Sequence, residues 1–145
     1  VKILFCTSDK IGARIIRGVT WSDFSHVAII DGDEVIEAVW PRVRVTPLAD
    51  VLAGHTRCVI VEIPCDEKAA ILAARSQIGK PYDLKGMIGL GFNRDWQDDA
   101  SWWCSELTAW AIASGGNKLY RDQFMHRVTP QDMWLPNFPM TVVKE

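Results

Sequence analysis

An α+β fold built on an antiparallel sheet is the architecture this sequence predicts, and three observations carry that expectation. Strand-like runs crowd the first half of the chain, and the clearest helices lie in the second half. Asp31-Gly32 also sits between two apolar runs, where a hairpin turn belongs. Segregated rather than alternating strands and helices argue against parallel βαβ units.

In chain order, Ile3 to Cys6 reads as a first strand, and Asp9 to Gly18 as a helical turn or two around Ala13, Ile15 and Ile16. Ser25 to Ile30 and Glu34 to Trp40 are the strands of the hairpin, and Val43 to Thr46 extends the sheet. Thr46-Pro47-Leu48 resembles an N-cap followed by proline at the first helical position. Cys58 to Ile63 is another β-branched run. Asp66 then caps a helix from Glu67 to about Ile78, rich in alanine and stopped by Gly79 and Pro81. Gly86 to Ala100 reads as a long loop. Ser101 to Ser114 is a second helix, with Ser101 as its expected N-cap and Gly115-Gly116 at its end. Thr129-Pro130-Gln131-Asp132 starts another helix, and Met140 to Lys144 is a last strand.

Composition narrows the functional classes. At 145 residues, one domain spanning residues 1–145 is expected. Hydrophobic residues are 48% and charged residues 23%, an ordinary globular balance. A net charge of −2 with no basic block argues against a nucleic-acid partner. No apolar run reaches the roughly 20 residues of a membrane span. The first residues read as a strand rather than a signal peptide, so the default expectation is a cytoplasmic protein. The four cysteines, at 6, 58, 65 and 104, match no zinc or redox spacing. Cys6, Cys58 and Cys65 read as buried, inert thiols, with no disulfide framework and a reducing compartment as the default.

Chemistry is suggested at two places. A two-residue turn at Asp31-Gly32 places His26 directly opposite Glu37. If the turn is Gly32-Asp33 instead, the two become diagonal neighbours on the same face. A carboxylate beside an imidazole fixes its tautomer and stabilises the imidazolium. The alternative is a purely structural His–Glu pair. The second place is Trp102-Trp103-Cys104-Ser105-Glu106. There Cys104 falls in a first helical turn, whose free N–H groups and macrodipole favour a thiolate and an oxyanion. The alternative is one more core cysteine. Spacing alone does not bring Cys104 to His26.

Four segments in order carry a resemblance: Ser25-His26-Val27-Ala28-Ile29, Val35-Ile36-Glu37-Ala38, Gly79-Lys80-Pro81-Tyr82-Asp83 and Trp103-Cys104-Ser105-Glu106-Leu107. Together they resemble the circularly permuted NlpC-type cysteine hydrolases, the YiiX-like papain-fold amidases and their phage-encoded relatives. The His strand precedes the Cys helix, which is the permuted order shared with lecithin retinol acyltransferase-like enzymes. The resemblance implies a papain-like α+β fold, with an antiparallel sheet or half-barrel against the nucleophile helix. It implies Cys104 as nucleophile, His26 as general base and Glu37 as the orienting third member. A Glu there, rather than His, favours the YiiX-like branch. Tyr82 matches a tyrosine near the nucleophile that donates to the oxyanion or substrate; a turn aromatic under the helix is its other reading. Ser105 and Trp102 flank the nucleophile as candidate oxyanion and cleft residues. The implied reaction is acyl transfer to water on a small amide, peptide or acyl substrate, cell-wall peptides among them, with no cofactor or metal. Alternatives are a lipid-directed thioesterase or acyltransferase, with Met87, Leu90 and Phe92 lining an apolar tunnel, and a catalytically silent binding module. His55 reads as a solvated loop residue and His126 as a structural or surface residue, and the seven tryptophans chiefly as packing, with Trp21, Trp40 and Trp96 placed where a groove could be lined.

Overall fold

The computed structural model describes residues 1–83 and 101–145. The segment Gly86 to Ala100, with Met87, Leu90, Phe92 and Trp96, therefore lies outside the described residues. The described elements are β1 (Lys2–Thr7), α1 (Ile11–Thr20), β2 (His26–Asp31), β3 (Glu34–Val39), β4 (Arg42–Pro47), α2 (Leu48–Ala53), β5 (Arg57–Glu62) and α3 (Glu67–Ser76). After the undescribed segment come α4 (Cys104–Ser114), a 3₁₀ turn (Asp122–Arg127), α5 (Pro130–Trp134) and β6 (Met140–Lys144). The expected α+β class holds: the six strands form one antiparallel sheet in the order β4-β3-β2-β1-β5-β6.

Strand alternation sorts the core onto two faces. Ile3, Phe5, Val27, Ile29, Ile36, Val59 and Val61 pack with Leu107, Ala111 and Ile112 of α4. Leu4, Cys6, Ala28, Ile30, Val35 and Cys58 pack with Val51 of α2. Apart from Trp110 and its last two residues, α4 is buried, as its apolar composition all round demands. Phe5, Phe24 and Trp134 form an aromatic cluster with ring centroids 4.7–5.6 Å apart, tying α5 to β1.

Several local expectations stand. Asp66 caps α3 through the Ala69 N–H at 3.0 Å, and Thr129 and Asp132 form a complete capping box on α5. The α3 helix is followed by Gly79 in a left-handed conformation, φ +91°. The helix expected near Asp9 to Gly18 is a full ten residues, shifted to Ile11–Thr20.

Four expectations need correction. The hairpin turn is Gly32-Asp33, because Asp31 pairs with Glu34 and Ile30 with Val35. Gly32 takes φ +61°, so a turn whose first central residue is glycine needs no left-handed Asp. Ser101 is not the cap of the Cys helix. Tyr82 and Trp102 form a bridge, with the Trp102 N–H donating to Pro81 O at 3.0 Å and the Asp83 N–H to Trp102 O at 2.9 Å. That pairing holds the chain extended through Trp103, which becomes the N-cap. Thr46 likewise stays in β4 rather than capping α2, and its hydroxyl serves Glu37 instead. Finally, Cys6 and Cys58 are not separate thiols but a disulfide. They are direct cross-strand partners on β1 and β5 with Cα atoms 4.3 Å apart, a proximity set by register and invisible to spacing.

Candidate active site

His26 opens β2 and lies directly across from Cys6 on β1. Extending the β2–β3 register sets Glu37 across from Ala28, so His26 and Glu37 are diagonal neighbours on one face. A glutamate is long enough to span that diagonal. Its Oε2 meets His26 Nε2 at 2.8 Å, with both residues buried. The other carboxylate oxygen accepts from Arg44 Nε at 3.0 Å and Thr46 Oγ1 at 2.7 Å. Arg44 is Glu37's direct partner on β4, and Thr46 shares its face two residues on. Burial works against the charge of Glu37, but the hydrogen bonds from His26, Thr46 and Arg44 hold its carboxyl well down, to about 2. Arg44 and Thr46 were not among the sequence-derived site residues. The alternation Arg42-Val43-Arg44-Val45-Thr46 carried the signal, since an antiparallel β4 puts one set of these side chains beside Glu37.

Cys104 lines the same pocket as the His26 imidazole and acts on the charge of that ring. Since Glu37 engages Nε2, Nδ1 is the ring nitrogen left for the thiol. Burial alone pushes the His26 pKa down, yet the hydrogen bonds and charges of Cys104 and Glu37 outweigh it and push it up to about 9. Cys104 is the first residue of α4, two residues nearer the helix start than a Ser101 cap implies. The Leu107 N–H is the first to reach back, to Trp103 O at 3.1 Å. The N–H groups of residues 104–106 therefore have no intrahelical acceptor and point out of the helix start.

These side chains open onto a pocket of about 450 Å³. Cys104, His26 and Tyr82 line it, with Lys10, Ile16 and Trp40 among the other described walls. Burial, then charge at Cys104 and Asp83, raises the Tyr82 pKa, so its phenol stays protonated and able to donate. Trp102 and Ser105 do not line this pocket. The Trp102 indole N–H donates to Gln77 Oε1 at 3.0 Å and its ring packs on Trp110, while the Ser105 hydroxyl donates to Val128 O at 2.6 Å. For Ser105 only the backbone N–H remains as an oxyanion donor.

His55 needs reassignment. It is no solvated loop residue: it lines the pocket and stacks on His26, with ring centroids 5.8 Å apart and planes 6° from parallel. No periodicity signalled this, because the turn after α2 is positioned by the Thr56 N–H bond to Thr7 O at 2.9 Å, a long-range contact. Among the described residues, Cys6, Cys58 and His55 also bring their ligating atoms within 4.8 Å of one another. His126 sits in the 3₁₀ turn and is not part of the pocket wall.

Among known proteins, no family model matches this chain, and no curated protein does. The crystal structure titled metalloprotein YiiX from Escherichia coli O157:H7, DUF1105, is similar with a TM-score of 0.69 and 24% identity. The match covers 99% of this chain and 96% of that one. This chain therefore shares the fold of that YiiX protein along almost its whole length.

Proposed function

We propose that the protein is a thiol-dependent hydrolase of the amidase or peptidase type, working through Cys104, His26 and Glu37 on a permuted papain-like (NlpC-type) fold. The observation that carries this reading is one buried imidazole hydrogen-bonded to a buried carboxylate and sharing a pocket with a cysteine at a helix start. That is the arrangement of nucleophile, base and orienter that acyl transfer needs.

In this reading the Cys104 proton already resides on His26 Nδ1 near neutral pH, and the thiolate so formed attacks the substrate carbonyl. The negative charge on the carbonyl oxygen is met by N–H groups at the start of α4 and by the Tyr82 hydroxyl. The tetrahedral species collapses to a thioester on Cys104, and His26 passes its proton to the departing amine. Water then attacks the thioester, giving its proton to His26, and the acid leaves as the thiol is restored. Glu37, held by Arg44 and Thr46, keeps the ring oriented and stabilises its charged form.

A lipid-directed thioesterase or acyltransferase is the second reading, favoured by one feature. The pocket wall beside Cys104 includes Ala13, Ile16, Val39 and Trp40, and the adjoining α1 exposes Ile11, Ile15 and Val19 as a stripe ending at Trp21. The experiment that separates the readings incubates the protein with a cell-wall peptide extract and, in parallel, a lipid extract. Mass spectrometry then identifies any adduct on Cys104. A peptidyl adduct supports the first reading and a fatty-acyl adduct the second. Absence of both, with Cys104 alkylated by iodoacetamide no faster than Cys65 and at an unchanged rate in His26→Ala, overturns the hydrolase.

A further inference from the structure

Behind His26 lies a second cluster that the hydrolytic reading does not use. Cys6 Sγ, Cys58 Sγ and a ring nitrogen of His55 lie within 4.8 Å of one another. Both cysteines are fully buried, while His55 reaches the pocket and so offers a path from solvent. We infer that Cys6, Cys58 and His55 form a site for one thiophilic divalent cation of the zinc type, open when the Cys6–Cys58 disulfide is reduced and closed when it is formed.

Three physical arguments converge. The first is geometry. Direct cross-strand partners with Cα atoms 4.3 Å apart can carry either an S–S bond or two sulfurs on one ion. Tetrahedral zinc with Zn–S near 2.3 Å needs its sulfurs about 3.8 Å apart, inside the span of this cluster. Two thiolates, one imidazole and an open fourth position is a known donor set for that ion. The second is the tautomer of His55. Its Nδ1 lies 2.7 Å from Val51 O, which can only accept, so Nδ1 carries the proton and Nε2 keeps its lone pair. A backbone carbonyl orienting the far nitrogen is the usual support of a metal-ligating histidine. The third is charge. Two thiolates neutralise a divalent ion, and a disulfide is neutral, so this buried site accepts either state without a stranded charge.

The exchange between states balances. A dithiol reductant gives two electrons and two protons to the S–S bond, leaving two thiols and an oxidised reductant. The arriving cation displaces both thiol protons to solvent.

The test uses the full chain, reduced anaerobically and freed of reductant, titrated with cobalt(II) as the spectroscopic probe. Reduced protein should take up about one equivalent, with thiolate-to-cobalt charge-transfer absorption and the visible bands of a tetrahedral ion. Oxidised protein should show neither. Cys58→Ser should lose the charge-transfer signal. His55→Ala keeps both cysteines, and should bind at least about tenfold more weakly. Cys104→Ala should leave the spectrum intact. The inference is overturned if reduced protein binds no cobalt, if His55→Ala binds as tightly as the parent, or if the signal vanishes in Cys104→Ala and survives in Cys58→Ser. The readout is spectroscopic, so it stands or falls independently of any hydrolytic activity.

Discussion

Glu37 shows how one buried side chain gains and spends its hydrogen-bonding capacity. Its two oxygens accept from His26, Arg44 and Thr46, and its charge is sustained by them. Glu37→Gln keeps the shape and loses the charge. We expect it to react on the order of tenfold more slowly, well short of the loss from Cys104→Ala, because an amide still orients an imidazole but does not stabilise its cation. Full activity in that variant would remove Glu37 from the machinery. The same pair sets a pH dependence of stability. His26 is raised from 6.5 to about 9, so its contribution is complete below about 6.5 and is lost as pH rises through 9. Glu37 is lowered from 4.5 to about 2, so its contribution is present above 4.5 and is lost as pH falls through 2. Unfolding midpoints measured across pH should therefore fall away on both sides of a plateau between these limits. In His26→Ala the alkaline decline should be absent, and an unchanged decline would assign it to another group.

Two helix ends matter most among the elements. The Tyr82–Trp102 bridge delays the start of α4 until Cys104, which presents the proposed nucleophile at the helix's first residue instead of inside its first turn. At the other end α4 closes against the start of α3, where the Asp66 N–H donates to Gly115 O at 2.8 Å. A Cβ at Gly115 would stand 2.7 Å from Asp66 O and 3.1 Å from Cys65 Sγ. Backbone cannot retreat as a flexible side chain can. Gly115→Ala should cost about 1–3 kcal/mol in denaturant unfolding, the usual penalty of overpacking. A neutral result would show that the two helices part easily. The exposed apolar stripe of α1 belongs here too: a ten-residue helix keeps Ile16 at the pocket wall while presenting Ile11, Ile15 and Val19 to solvent.

Across the fold, the disulfide ties β1 to β5 over a sequence separation of 52 residues. Constraining a loop of that size in the unfolded chain is worth about 2–4 kcal/mol. Reducing agent should lower the unfolding midpoint accordingly, and zinc added to the reduced protein should restore part of the loss. An unmoved midpoint on reduction would mean the link is not holding the sheet. Disulfides persist in oxidising compartments, so the pairing removes the ground for the reducing-compartment default. No helix among the described residues is long and apolar enough to cross a membrane.

Much of this was legible before any coordinates. Alternation and turn residues placed the strands of the hairpin, alanine content and Asp66 placed α3, and Thr129-Pro130 placed α5, because each signal acts within a few residues of itself. The pairing of His26 with Glu37 was legible for the same reason, since a two-residue turn keeps both on one face in either register. What coordinates alone supplied are contacts between segments far apart in the chain. Cys104 and His26 share a pocket because α4 packs across β2, Cys6 finds Cys58 because β1 lies between β2 and β5, and His55 stacks on His26 because its turn is pinned to the end of β1. Local propensity depends on neighbours in sequence, whereas these meetings depend on strand order and register, which no short window of residues encodes.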